Sequence, residues 1–247
     1  MEGDIALIAE AARKASRFLL RDYYELERLQ NSNNSNTIAN FSNKSVHKAV
    51  ITLTRHLEKY FKYVIFEEKD IKQIEPDKKA VLVEPLDGFV NFSRSTALFG
   101  IMITVVKKKE NQICAEKSLI NFPVLGELIR AEKNCGVFLE RYSSNIAGAF
   151  KLKTSSTKDI KEAVIALDNN FLSLTKQFSR FRFYGSSTYS LFQLISGKID
   201  AIFIRNRAMI EDGIKLFIEE AGGKVLAKPG GINASNLPLF EKIKDIS

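Results

Sequence analysis

Two spacings of apolar residues alternate along this chain. Ile5, Ile8, Ala9, Ala12, Ala15, Phe18, Leu19 and Tyr23 recur every three or four positions, which predicts a helix from Ile5 to about Leu29. Val46, Ala49, Val50, Leu53 and Leu57 repeat that spacing and predict a second helix from Ser45 to Phe61. The span between them, 31–45, is rich in Asn and Ser and reads as a mobile loop. Short apolar runs follow at Tyr63–Phe66 and Ala80–Val83, joined by a charged, hairpin-like segment at 69–79. Runs at 98–107, 112–120, 127–132 and 136–139 fit a meander of antiparallel strands. Residues 143–151 turn to Ser, Asn, Ala and Gly and mark a domain junction, dividing the chain into 1–147 and 148–247. Beyond it, 163–167 and 202–204 read as strands. A Gly185-Ser-Ser turn opens a helix, and another begins near Glu211 or Asp212 and ends at Gly222-Gly223. A short helix near 238–246 closes the chain.

At 247 residues the chain can bury a sizeable core as one large or two small domains. No apolar run approaches a membrane span, and Met1-Glu-Gly-Asp lacks the basic start of a signal peptide, so a cytoplasmic location is expected. Cys114 and Cys135 lack metal-site spacing and are expected as buried thiols. His47 and His56, nine apart, do not match a zinc pattern and are expected as surface or boundary residues. The net charge of +8 permits RNA, a membrane or phosphorylated ligands as partners, but no dense basic tract selects one.

The candidate chemistry lies in Val81-Leu-Val-Glu-Pro-Leu-Asp-Gly-Phe-Val-Asn-Phe92. Glu84 and Asp87 sit at the exit of a strand, where two carboxylates can point into one pocket and give Mg²⁺ the oxygen ligands it prefers. If Gly88 and Phe89 open a helix, their N–H groups can cradle an anion. The plainer reading of these residues is a strand ending in a Pro–Asp–Gly turn. Two further landmarks accompany the stretch: Tyr63-Val-Ile-Phe-Glu67-Glu68, and Glu219-Glu-Ala-Gly-Gly-Lys-Val225.

With these landmarks the chain resembles the inositol monophosphatase family, most of all its bacterial extragenic-suppressor branch. The resemblance runs from the first helix to about Ala234, and Arg182–Ala201 carries it through the second half. It implies an α/β (α+β) fold, a layered αβαβα sandwich of the sugar-phosphatase type. It also implies Mg²⁺-dependent hydrolysis of an inositol or sugar monophosphate, with a small phosphorylated metabolite as ligand and a homodimer as assembly. The short 171–181 span weakens the expectation of a dimer. Carried over position by position, Glu67, Glu84 and Asp87 are the metal ligands, and Glu67 also orients the attacking water. Gly88 and Phe89 hold phosphate, and Gly185, Ser186 and Ser187 touch the substrate.

Several positions depart from the family pattern. Lys44, or Asn43 in the neighbouring register, stands where relatives carry an Asp, and Lys48 stands where they carry a Glu. Glu84 replaces an Asp. Phe89 replaces a water-orienting Thr, and Ile204 replaces a substrate-contacting Glu. The distal metal-binding Asp falls on Ile210 or, one residue on, Glu211. These losses point to impaired or altered hydrolysis, with Lys44 as a substitute for metal. The alternative is an inactive relative that binds RNA or the transcription machinery.

Overall fold

Successive residues of one strand serve different cores. The computed structural model describes residues 3–30, 35–110, 112–142, 148–228, 230–244 and 246. Helices α1 (Asp4–Leu29) and α2 (Ser35–Leu57) pack on each other. Strand β1 (Val64–Ile65) pairs in parallel with β2 (Lys79–Asp87), which leads into the short helix α3 (Phe89–Ser93). Strands β3 (Gly100–Lys109), β4 (Gln112–Phe122), β5 (Glu127–Glu132), β6 (Gly136–Arg141) and β7 (Ala149–Leu152) extend the sheet by antiparallel pairing, in sequence order. The segment 69–79 contains a 3₁₀ turn (Glu68–Gln73) rather than the expected hairpin.

A second sheet is built from β8 (Ile165–Leu167), β9 (Phe181–Arg182), β10 (Ala201–Arg205), β11 (Gly223–Lys228) and β12 (Gly231–Asn236), in the order β11-β12-β10-β8-β9. Helices α4 (Ser187–Ile195), α5 (Ala208–Glu220) and α6 (Phe240–Ile243) complete the described elements. The expected domain boundary falls at 147/148, and residues 143–147 lie outside those described. Because β7 belongs to the first sheet, the two sheets part after Leu152.

The period of two along a strand sets the layers. Val81, Val83, Ile101 and Ile103 face the apolar stripes of α1 and α2. Met102, Ile120, Ile129 and Val137 face the other way, into a core shared with α4, α5, Ile202, Ile204 and Ile232. Ala201 and Phe203 face out again toward Leu174, Phe178 and Ile243. The result is five layers in the order helix, sheet, helix, sheet, helix, as the αβαβα expectation has it.

α2 starts ten residues before the expected Ser45. Ile38, Ser42 and Ser45 fall on its inward face and are buried. The hydroxyls of Ser42 and Ser45 donate to the carbonyls of Ile38 and Phe41 at 2.9 and 3.0 Å. Serines that bond four residues back are compatible with a helix, so the polar composition here does not mean a loop. Ser45 and Lys48 also reach Asp22, a buried carboxylate on α1, at 2.8 and 3.4 Å.

α5 begins at Ala208, earlier than the expected Glu211 or Asp212, and it lies close against β3 and β4. A methyl at Gly213 would come within 2.3 Å of the Met102 side chain and 2.4 Å of the Thr104 hydroxyl. Thr104 and Ser118 are buried and bonded to each other at 2.8 Å beneath that glycine. Two smaller expectations are corrected. The cysteines are free, but Cys135 is exposed and Cys114 partly so. His56 is buried between α1 and α2, 3.3 Å from the Lys14 amine, while His47 is exposed.

Candidate functional site

In a regular strand, residues three apart point to opposite faces, which would separate Glu84 from Asp87. The pairing of β2 with β3 slips register between these two residues. Pro85 lies within the slip and has no N–H to give to the ladder. The irregularity turns both carboxylates toward one group, the guanidinium of Arg207. Arg207 Nη1 donates to Glu84 Oε2 at 2.9 Å, and Nη2 donates to Asp87 Oδ1. Arg207 is the residue that caps the start of α5.

The other oxygen of Asp87 is filled by α4. Asp87 Oδ2 accepts from the Ser186 hydroxyl at 2.6 Å and from the Thr188 N–H and hydroxyl, both at 2.8 Å. Ser186 is the N-cap of α4, and its Oγ also accepts from the Tyr189 N–H at 3.1 Å. Gly185, at φ +68°, takes the chain into this cap, and a Cβ there would sit 3.0 Å from Asn91 Oδ1. The Asn91 amide in turn donates to the carbonyls of Leu98 and Tyr184 at 2.8 and 2.7 Å, tying α3 to the α4 loop. Gly88 adopts φ +84°, and a Cβ would meet the Leu98 carbonyl at 2.7 Å, so only glycine fits this turn.

Burial decides the electrostatics. The Glu84 side chain is 16% exposed and that of Asp87 5%. Desolvation pushes the Glu84 carboxyl up to about 7. Arg207 opposes this and the neighbouring Asp87 reinforces it. Burial prevails over a direct ion pair because one guanidinium charge is shared between two carboxylates. Asp168 is also raised, first by burial and then by the Asp87 charge, against the Arg205 N–H, which reaches its Oδ2 at 2.9 Å. Asp87, Asp168, Asn91, Gly185, Ser186 and Ser187 line one cavity of about 320 Å³.

The structure brings together Glu84, Asp87, Gly185, Ser186 and Ser187 from among the expected site residues. It does not bring in Glu67, whose side chain is 63% exposed and held by Lys69 at 2.6 Å. Lys44 is exposed on α2, one residue from the inward Ser45, so the cation on the acids is Arg207 instead. Ile210 is buried in the core between the sheets, and Glu211 is engaged by Lys215, so neither supplies a distal acid. Phe89 does begin a helix after Gly88, but its ring packs against the core of α1 and α2. Ile204 is likewise core. Sequence reasoning missed Arg207, Asp168 and Thr188. Asp87 and Arg207 are 120 residues apart, and no short motif joins them.

Five alternating layers, with a carboxylate cleft where a strand end meets two helix starts, define a sugar-phosphatase type of fold. The Inositol monophosphatase family model matches residues 3–240, and the chain belongs to that family. It is 29% identical over 234 residues to an inositol-1-monophosphatase of Caulobacter vibrioides, covering 87% of this chain and 86% of that one. It is 24% identical over 245 residues to the Nus factor SuhB of Salmonella typhimurium, covering 93% and 86%. Among solved structures, the extragenic suppressor protein suhB of Bartonella henselae superposes with a TM-score of 0.75 at 23% identity, covering 98% and 97% of the two chains.

The family generally uses Mg²⁺. The residues here do not fit that ion. Among the described residues no three His, Cys, Asp or Glu side chains converge on one point. The two acids that do converge are already bridged by a guanidinium.

Proposed function

We propose that this chain keeps the family's fold and cleft without metal-assisted hydrolysis of a phosphate monoester. The observation that carries the reading is Arg207 bonded to both Glu84 and Asp87. Hydrolysis of this kind needs carboxylates that hold cations against the phosphate and a group that orients water. Here the convergent acids face an arginine, Glu67 faces solvent, and the Phe89 ring packs against the core of α1 and α2. The test is phosphate release from a panel of inositol and sugar monophosphates with Mg²⁺ titrated, beside Asp87→Asn as a blank. No release above the blank is expected. Mg²⁺-dependent release that Asp87→Asn abolishes would overturn the reading.

A second reading, a binding role toward RNA or the transcription machinery, is favoured by the similarity to proteins named Nus factor SuhB and by the +8 charge. Among the described residues no helix is long and apolar enough to cross a membrane. Fluorescence anisotropy of a labelled RNA, titrated with the chain at two salt concentrations, tests this reading. Binding that weakens steeply with salt is expected from a basic surface. The absence of binding at low salt would rule RNA out.

A further inference from the structure

Arg207 occupies a position where a cation is costly. It caps the N-terminal end of α5, whose first N–H groups carry the positive end of the helix dipole, and it makes no side-chain cap there. Its guanidinium is two-thirds removed from solvent, a second cost. Two carboxylates at the end of β2 offset both by taking one nitrogen each. On their far side, Asp87 is filled by three donors from Ser186 and Thr188, so its Oδ2 has no call for another cation. Among the described residues no lysine pairs with these acids: Lys48 is on Asp22, Lys69 is on Glu67, and Lys215 is on Glu211.

We propose that Arg207 is a covalently held replacement for a divalent cation. It bridges Glu84 and Asp87 and joins the end of β2 to the start of α5, so the cleft assembles with no metal. Removing it leaves two buried carboxyl groups that converge with no cation between them, a latent site for a hard divalent ion. The inference rests on the reading of the cleft given above, but it is tested by a different quantity.

The test is thermal unfolding of the full chain and of Arg207→Gln and Glu84→Gln/Arg207→Gln, each in EDTA and with MgCl₂ or MnCl₂ raised to millimolar levels. Isothermal titration with the same salts accompanies it. The unsubstituted chain is expected to unfold at the same temperature, within about 1 °C, in EDTA and in metal, since a filled site gains nothing by mass action. Arg207→Gln is expected to unfold roughly 10 °C lower in EDTA, because two buried carboxyl groups lose their shared partner. It should recover part of that loss with saturable binding of one Mg²⁺ or Mn²⁺. The double variant removes the repulsion; it should regain stability in EDTA and lose the response to metal.

Saturable stabilisation of the unsubstituted chain by Mg²⁺ would overturn the proposal. So would an Arg207→Gln chain as stable as the parent or indifferent to both metals. If Arg207→Gln does not fold, rescue of folding by the added Glu84→Gln supports the proposal, and failure of that rescue counts against it. The two readings separate cleanly. Mg²⁺-dependent release that Asp87→Asn abolishes, with no Mg²⁺ stabilisation of the parent, would sink the proposed function and leave Arg207 in its role. Mg²⁺ stabilisation of the parent without any release would do the reverse.

Discussion

The charged residues expected to form one site stand in opposite circumstances. In the cleft, Glu84 and Asp87 are buried and every contact is directional, with two bonds from one guanidinium and three from the start of α4. Away from the cleft, Glu67 and Lys44 are exposed, and Glu67 pairs with the neighbouring Lys69. A carboxylate's type says little about what it does; its burial and the donors around it decide. The buried cluster resembles a structural joint between three elements, β2, α4 and α5, that happens to be made of ionisable groups.

The largest effect that could break this comparison is at Asp87. Asp87→Ala strands the Ser186 and Thr188 donors and leaves Arg207 half-paired, and a loss of about 3–5 kcal/mol is expected from removing one member of a buried ionic network. The midpoint of urea unfolding measures it, and a loss of a few tenths would mean the joint is not structural. Next comes Glu84. Its carboxyl holds a proton up to about pH 7 in the folded chain, against 4.5 for an ordinary glutamate. Between those values the folded state binds more protons than the unfolded one, so its contribution to stability falls as pH rises through that window and is flat above it. The shift corresponds to about 3 kcal/mol at 1.36 kcal/mol per unit. Glu84→Gln should remove that slope from a pH series of unfolding curves, and an unchanged slope would place the effect elsewhere. The smallest expected effect is at Glu67, where Glu67→Gln leaves the urea midpoint unchanged, because exposed pairs such as Glu67–Lys69 contribute little. A Glu67→Gln loss as large as that of Asp87→Ala would erase the distinction between the buried acids and the exposed one.

The layers were largely legible from sequence because each layer has a period. α1 follows its apolar stripe almost residue for residue, and the meander strands lie within a few residues of their runs. α2 was legible only in its second half. The inward serines at 42 and 45 satisfy themselves locally, and composition cannot show that. The start of α5 was missed for a related reason: an arginine stands at the cap, where Ser, Thr, Asn or Asp would have signalled it. That error hid the cation of the site. A lysine at 44 was the expected metal substitute, and the earlier start of α2 places it facing solvent. The basic group that meets the acids is Arg207, 120 residues beyond Asp87, which local pattern cannot reveal. The β11–β12 hairpin also went unread, since its two strands flank a Gly-rich turn and β12 carries Asn and Ser at Asn233, Ser235 and Asn236 among its apolar residues.

The close seat of Gly213 bears on all of this through leverage. Arg207 stands six residues before that glycine, about 9 Å along the helix axis at 1.5 Å per residue. The missing side chain lets α5 sit flush on Thr104 and Ser118, and that contact acts as a fulcrum. A single methyl group there would tilt the whole rod, and the displacement would be greatest at its tip. The aim of the guanidinium is therefore set partly by an atom that is not there, in a different layer of the molecule from the acids it meets.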